Sequence, residues 1–300
     1  MSTKKTYRTA EDRHEEGRRA RKRTPRRSHD GWEPTSDRPD PVTLLTEQDE
    51  TREQDLVPVR HGRMLASPFA FYRGAARIMA HDLATTPVSG ITVQACGDAH
   101  LANFGLYGSP ERQLLFDVND FDETLPGPWE WDVKRLATSI TVAARANGFS
   151  NKQAETATAA CVAAYREAMG AFADMRQMDV WYAHVSAEQI AALATRSAVR
   201  REIDKQIAKS RSRDSMQALS KLTEVVDGKH RIVADPPLIV PLSTYQGIDL
   251  VQMETLIREA FADYRRTLAD DRKHLLERFQ LVDIARKVPP GDAFYQWYGR

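Results

Sequence analysis

The stretch that most limits how this chain can fold is FGLYGSPERQLLFDVND, residues 104–120. Gly108, Ser109 and Pro110 supply turn chemistry and apolar residues lie on either side, so the segment reads as a β-hairpin. A hairpin returns the chain to where it began. It therefore brings CGDAHLANFG, residues 96–105, beside NDFDET, residues 119–124. The first cluster holds Asp98, His100 and Asn103, and the second holds Asp120, Asp122 and Glu123. Side chains alternate along a strand, so Phe116, Val118 and Asp120 share one face. Asp120 thus emerges at the end of an apolar face, where a carboxylate is costly unless a cation or hydrogen bonds receive it.

The rest of the chain is read around that hairpin. Three hundred residues allow one large domain or two small ones. The signs of charge nearly cancel, at a formal +1, so overall charge gives no argument for nucleic acid or for a membrane surface. Two distant cysteines, Cys96 and Cys161, exclude a disulfide framework or a zinc ribbon. There is no apolar run of membrane-spanning length and no signal-peptide pattern, so a cytoplasmic protein is expected. Excess positive charge is concentrated in the first thirty residues, which have almost no aliphatic side chains. With Pro34, Pro39 and Pro41 following, residues 1–55 read as a disordered basic arm and linker, able at most to meet an acidic partner.

Ordered structure is expected from about Leu56. SPFAFYRGAARIMAHDLA reads as a helix capped by Ser67, with Phe71, Ala75, Ile78, Met79 and Leu83 on one face. GITVQAC reads as a short buried strand ending before Gly97. From Trp129 the chain is mostly helical, with apolar stripes at Val133, Leu136, Ile140 and Ala143, and at Ala157, Cys161, Ala164, Tyr165, Ala168 and Phe172. The cleanest stripe runs from Met253 through Leu256, Ile257, Phe261 and Tyr264 to Leu268, and is expected as core. KHRIVADPPLIVPL reads as extended segments broken by prolines. The expected class is α+β with a dominant helical part.

The chemistry follows from spacing. Asp98 and Asn103 are separated as D-x-x-x-x-N, the spacing of a kinase catalytic loop, in which the Asp accepts the acceptor hydroxyl's proton and the Asn holds a metal ion. The later acidic position is filled by Asp120, with Asp122 beside it. Magnesium favours one or two carboxylates together with phosphate oxygens and waters. The structural reading is the stronger one for several of these: His100 as a loop histidine satisfied by a backbone carbonyl, Asp122 and Glu123 as turn acids, and Asp132 as a helix cap. Arg60, Arg63 and Arg73 could contact phosphate or form structural ion pairs, and Cys96 reads as a small buried residue.

GDAHLANFG followed by NDFDE resembles the paired motifs of aminoglycoside phosphotransferase-like kinases, with Cys96 where that family's first His stands. More specifically, SPFAFYRGAA, GDAHLANFG, NDFDET, WDVKRLATS and KLTEVVDGKHRIVADPPLIVPL resemble the uncharacterised bacterial family called domain of unknown function 2252, over roughly residues 56–288. The resemblance implies a mostly helical kinase-like lobe over 56–288 with a divergent tail at 289–300. It implies Asp98 as catalytic base, His100 as organiser of the catalytic loop, Asn103 and Asp120 as metal ligands with Asp122 as a further candidate, and Asp132 as a structural aspartate. It also implies Mg²⁺ and ATP as cofactors, and a nucleotide and an acceptor as partners. There is one departure: no G-x-G occurs, and Pro289 and Pro290 stand where a glycine loop is expected, so the C-terminus reads as truncated or rearranged. Three readings follow: an ATP- and Mg²⁺-dependent phosphotransferase, a non-catalytic remnant acting as a binding module, and a metal-dependent hydrolase.

Overall fold

The computed structural model describes residues 8–212, 215–244 and 249–287. The chain divides into two compact units. Of the described residues, the first unit holds those up to Gln54 together with His61–Ile207, and the second holds Asp55–Arg60 and those from Ala208 onward. The architecture is α+β, with helices predominant and the strands of the described residues in two-stranded antiparallel pairs.

The first unit begins with a departure from expectation. Residues 10–23, read as a solvated arm, form α1 (Ala10–Arg23). Thr9 accepts the Asp12 N–H while the Asp12 carboxylate accepts the Thr9 N–H, a capping box. Glu11 and Asp12 lie at the positive end of the helix dipole and Arg21, Lys22 and Arg23 at its negative end. The arm has too few aliphatic groups to make a core, but it borrows one. Ala20 is buried, Arg23 donates to the Ser89 carbonyl, and the Thr24 hydroxyl donates to that of Val88. Further on, Arg38 forks onto Asp82 at 2.7 and 2.9 Å and lies over the Trp32 ring.

Next come α2 (Pro41–Asp49), α3 (Val57–Met64, whose residues up to Arg60 are assigned to the second unit), α4 (Pro68–Gly74) and α5 (Ala76–Ala84). Leu44, Leu45, Met64, Ala75 and Ile78 form their core. The helix expected after Ser67 is capped as read, with Ser67 Oγ accepting the Ala70 N–H, but it breaks at Ala75 into two. Gly74 marks the break: a Cβ there would lie 2.7 Å from the Met64 sulfur.

Strand β1 (Thr92–Ala95), expected to be buried, is exposed except at Ala95 and stands in a two-stranded ribbon. The expected hairpin is present as β2 (Phe104–Gly108) and β3 (Leu114–Val118), in register from Phe104↔Val118 to Gly108↔Leu114. The chain then forms β4 (Leu125–Pro128), which pairs with β1. Long helices α6 (Trp129–Ala146) and α7 (Asn151–Asp174) pack on each other. Trp129 stacks on Tyr165 and the Thr141 and Thr158 hydroxyls meet at 2.7 Å. The packed face of α7 is Ala154, Thr158, Cys161 and Tyr165, while Ala157, Ala164 and Ala168 are exposed. Small residues on both sides made the stripe ambiguous. After α8 (Gln177–Trp181), helices α9 (Ala187–Ala192) and α10 (Ser197–Arg211) complete a second cluster, in which Ala187, Ala191 and Ile207 pack with Leu106 and Leu114 of the hairpin.

The second unit holds α11 (Ser215–Leu222) and a hairpin of β5 (Thr223–Val226) and β6 (Lys229–Ile232), turned at Asp227 and Gly228, both with positive φ. Strand β7 (Ile239–Pro241) pairs with β8 (Ala285–Lys287), and between them run α12 (Leu250–Thr267) and α13 (Asp270–Leu276). Asp283 accepts the Ile232 N–H, and Arg286 forks onto Asp55. The apolar stripe of α12, expected as core, is largely exposed: it packs on α13, and Leu256 and Tyr264 are both more than half exposed. The expected tail at 289–300, with Pro289 and Pro290, lies outside the described residues. No helix among the described residues is long and apolar enough to cross a membrane.

Candidate functional site

The loop after β1 is shaped by one glycine. Gly97 has φ +87°, and a Cβ there would lie 2.3 Å from the Glu123 carbonyl oxygen. Only glycine permits both that backbone conformation and that approach. The turn lets Asp98, Ala99 and His100 run inward, all buried, before a short 3-10 turn at Leu101–Asn103 leads into the hairpin.

Helix α6 clasps this loop along one face. Asp132 accepts the backbone N–H groups of Cys96, at 2.6 Å, and Gly97, at 3.1 Å. Arg135 donates to Asp98 Oδ1 through Nε and Nη2. The Ser139 hydroxyl accepts the Leu101 N–H at 2.9 Å and donates to the Leu136 carbonyl. Positions 132, 135 and 139 are spaced to lie on one side of a helix. Asp132 is thus not a cap of its own helix: it ties down the loop. Arg135 and Ser139 were missed in the sequence. Their signal was present in WDVKRLATS, as polar groups at helical spacing next to the apolar stripe.

Arg135 is itself fully enclosed. It donates to the Tyr72 carbonyl at 3.2 Å and to the Met79 sulfur, and its guanidinium lies 4.6 Å from the centre of the Tyr72 ring. Tyr72 in turn donates its hydroxyl to the Arg135 carbonyl. Breaking a buried ion pair by removing one partner costs about 3–5 kcal/mol, because the other charge is left uncompensated. Burial pushes the Asp98 carboxyl above the usual carboxylate range, Arg135 pulls against it, and Asp120 adds in the upward direction. Asp98 Oδ2 lies 3.6 Å from His100 Nε2. The His100 backbone closes the loop: its N–H meets the Asp98 carbonyl and its carbonyl accepts the Asn103 N–H.

Asn103 joins the two acidic clusters. Its Nδ2 donates to the carbonyl of Asp98 at 3.1 Å and to that of Asp120 at 2.6 Å, and its own carbonyl accepts the Asn119 N–H. With both amide hydrogens used, Oδ1 remains without a hydrogen-bond partner among the described residues. The Asp120 and Asp122 side chains are exposed, and neither carboxylate has a hydrogen-bond or ion-pair partner among the described residues. Partial burial and the field of Asp120 push the Asp122 carboxyl up. Burial pushes the Cys96 thiol up to about 11, so Cys96 is a protonated thiol, its S–H on the Asp120 carbonyl, and not a nucleophile. Arg73 on α4 lends a positive field to Asp98 and makes no ion pair among the described residues.

The structure therefore brings Asp98, His100 and Asn103 together in one loop and fastens Asp120 to it through backbone carbonyls. Asp122 stands beside Asp120. The atoms available to a hard cation are Asn103 Oδ1 and the two exposed carboxylates. Among the described residues no three His, Cys, Asp or Glu side chains form a metal cluster, which is the pattern a zinc hydrolase centre would need.

A strand, an inward acidic loop, a hairpin and one clasping helix define the class to which this site belongs: a helix-braced acidic loop on an α+β scaffold. The family model described as "Uncharacterized protein conserved in bacteria (DUF2252)" matches residues 52–291, and the chain belongs to that family. No curated protein and no solved structure matches the chain.

Proposed function

We propose that the loop and hairpin form a magnesium-dependent phosphoryl-transfer site of the kinase-like type, with ATP as donor and a hydroxyl or amine as acceptor. The observation that carries this reading is Asn103. Its amide hydrogens are spent on the backbone carbonyls of Asp98 and Asp120, which leaves Oδ1 as a hard oxygen with no hydrogen-bond partner among the described residues, on the same loop to which Asp120 is fastened. Magnesium needs only one or two carboxylates and completes its shell with phosphate oxygens and water, so Asn103, Asp120 and Asp122 are a sufficient protein share. Such an ion, when bound, neutralises charge on the phosphate oxygens.

In this reading Asp98 Oδ2 accepts the acceptor's proton while the acceptor oxygen or nitrogen bonds to the γ-phosphorus and the bond from that phosphorus to the ADP oxygen breaks. A carboxyl pushed up by burial is a stronger base. Arg135 is a positioning residue: it occupies Oδ1, and the oxygen this reading uses is Oδ2, which faces His100 Nε2 at 3.6 Å. Arg73 supplies positive charge for a transferring phosphoryl group. A non-catalytic binding module is the second reading, favoured by one observation: Asp98 is only 6 % exposed.

The test uses the full chain. Mn²⁺ and Mn²⁺·ATP binding are followed by calorimetry, and turnover of γ-labelled ATP is followed with Mg²⁺. Asp120→Asn is expected to weaken metal binding at least about tenfold, the loss of one charged ligand. Asp98→Asn is expected to keep metal binding and to lose turnover. Unchanged Mn²⁺ binding in Asp120→Asn overturns the metal assignment. Metal binding without turnover in the wild-type chain leaves the binding module.

A further inference from the structure

A second site lies in the first unit, where nothing in the acidic loop's chemistry uses it. A cavity of about 600 Å³ is walled by Trp32, Phe71, Tyr72, Ile78, Met79 and Leu83. That volume is in the range of small-molecule sites, which combine an apolar lining with a few placed polar groups. Two such groups line this cavity, His29 from the turn after α1 and Lys134 from α6.

Neither group has a hydrogen-bond partner among the described residues, although the charge of Glu130 acts on both. His29 Nδ1 is buried and has no hydrogen-bond partner among the described residues. Lys134 has no hydrogen bond or ion pair among them either. Glu130 stands one turn before Lys134, yet its Oε1 accepts the Ser89 N–H and it forms no ion pair with the lysine. The acid of the lining, Asp82, is already forked by Arg38. Burial and the nearby Lys134 charge push the His29 imidazole down, which keeps it neutral and able to donate one N–H. A half-buried ammonium with no acceptor is costly, and an anionic ligand atom is the complement it lacks.

We propose that this cavity binds a small apolar or aromatic monocarboxylate, its ring or chain against Trp32, Phe71, Ile78 and Leu83 and its carboxylate on Lys134 and His29. The proposal does not depend on phosphoryl transfer. The two sites do share residues: Tyr72 and Met79 line the cavity and also touch Arg135, which holds Asp98.

The probe is 2-naphthylacetate, with the uncharged 2-naphthylacetamide as its matched control, titrated calorimetrically into the full chain at neutral pH. Saturable binding of the acid is expected, with the amide at least about tenfold weaker, as for a lost charge-assisted contact. Lys134→Met keeps the apolar stem and removes a half-buried charge, so it is expected to fold, checked by its thermal melt. It should weaken the acid about tenfold and leave the amide unchanged. Absence of saturable acid binding, equal binding of acid and amide, or equal acid binding by wild type and Lys134→Met would each overturn the proposal.

Discussion

Tyr72 stands where the candidate site meets the cavity, and its hydroxyl carries a pH signature. Burial pushes it up to about 12, from an ordinary value near 10. A raised acid holds its proton more tightly in the folded chain than in the unfolded one. Its contribution to stability is therefore complete below about pH 10 and is lost as pH rises towards about 12. Tyr72→Phe lacks that loss. Between pH 9 and 11 the wild type is expected to lose about 1 kcal/mol more than Tyr72→Phe in urea unfolding. Equal slopes would mean the phenol is hydrated. The candidate site residues, Asp98 and His100 as catalytic groups and Asn103, Asp120 and Asp122 as metal ligands, were picked out in the sequence by short spacing around glycines. Their partners were not. Asp98 pairs with Arg135, from a helix more than thirty residues away in sequence, and no local pattern announces a long-range ion pair.

At the scale of elements, α6 gives the site its form. Three polar side chains on one face hold the loop by its N–H groups and its carboxylate. Asp132→Ala removes the acceptor of two backbone donors and is expected to destabilise the chain by about 2 kcal/mol in denaturant unfolding, with Cys96 becoming more reactive to alkylation as the loop loosens. A change within a few tenths of a kcal/mol would show that water replaces the carboxylate without cost. The hairpin was readable because turn residues act locally. The division of α4 from α5 was not, because it depends on Met64 occupying the space beside Gly74. Helix α1 was readable in part: Thr9 and Asp12 have the spacing of a capping box, but a chain this polar gives no sign of the surface against which Ala20 is buried.

At the scale of the whole molecule, order is unevenly distributed. Helix α6 buries Glu130, Arg135, Ser139 and Ala143, whereas α12 buries none of its residues. Local opening is cheapest where few apolar groups are covered. Amide hydrogen exchange by mass spectrometry is expected to find α6 slower than α12 by about a hundredfold, roughly 3 kcal/mol in opening free energy. Comparable rates would show that α12 is covered in solution. The apolar stripe of α12 misled the sequence reading because periodicity reports a helix face, and not whether anything packs against it. The meeting of Gly97 with Glu123 has a mechanical consequence. Main chain lies against main chain there, so any side chain at position 97 would force the segment that carries Asp120 and Asp122 away from the loop.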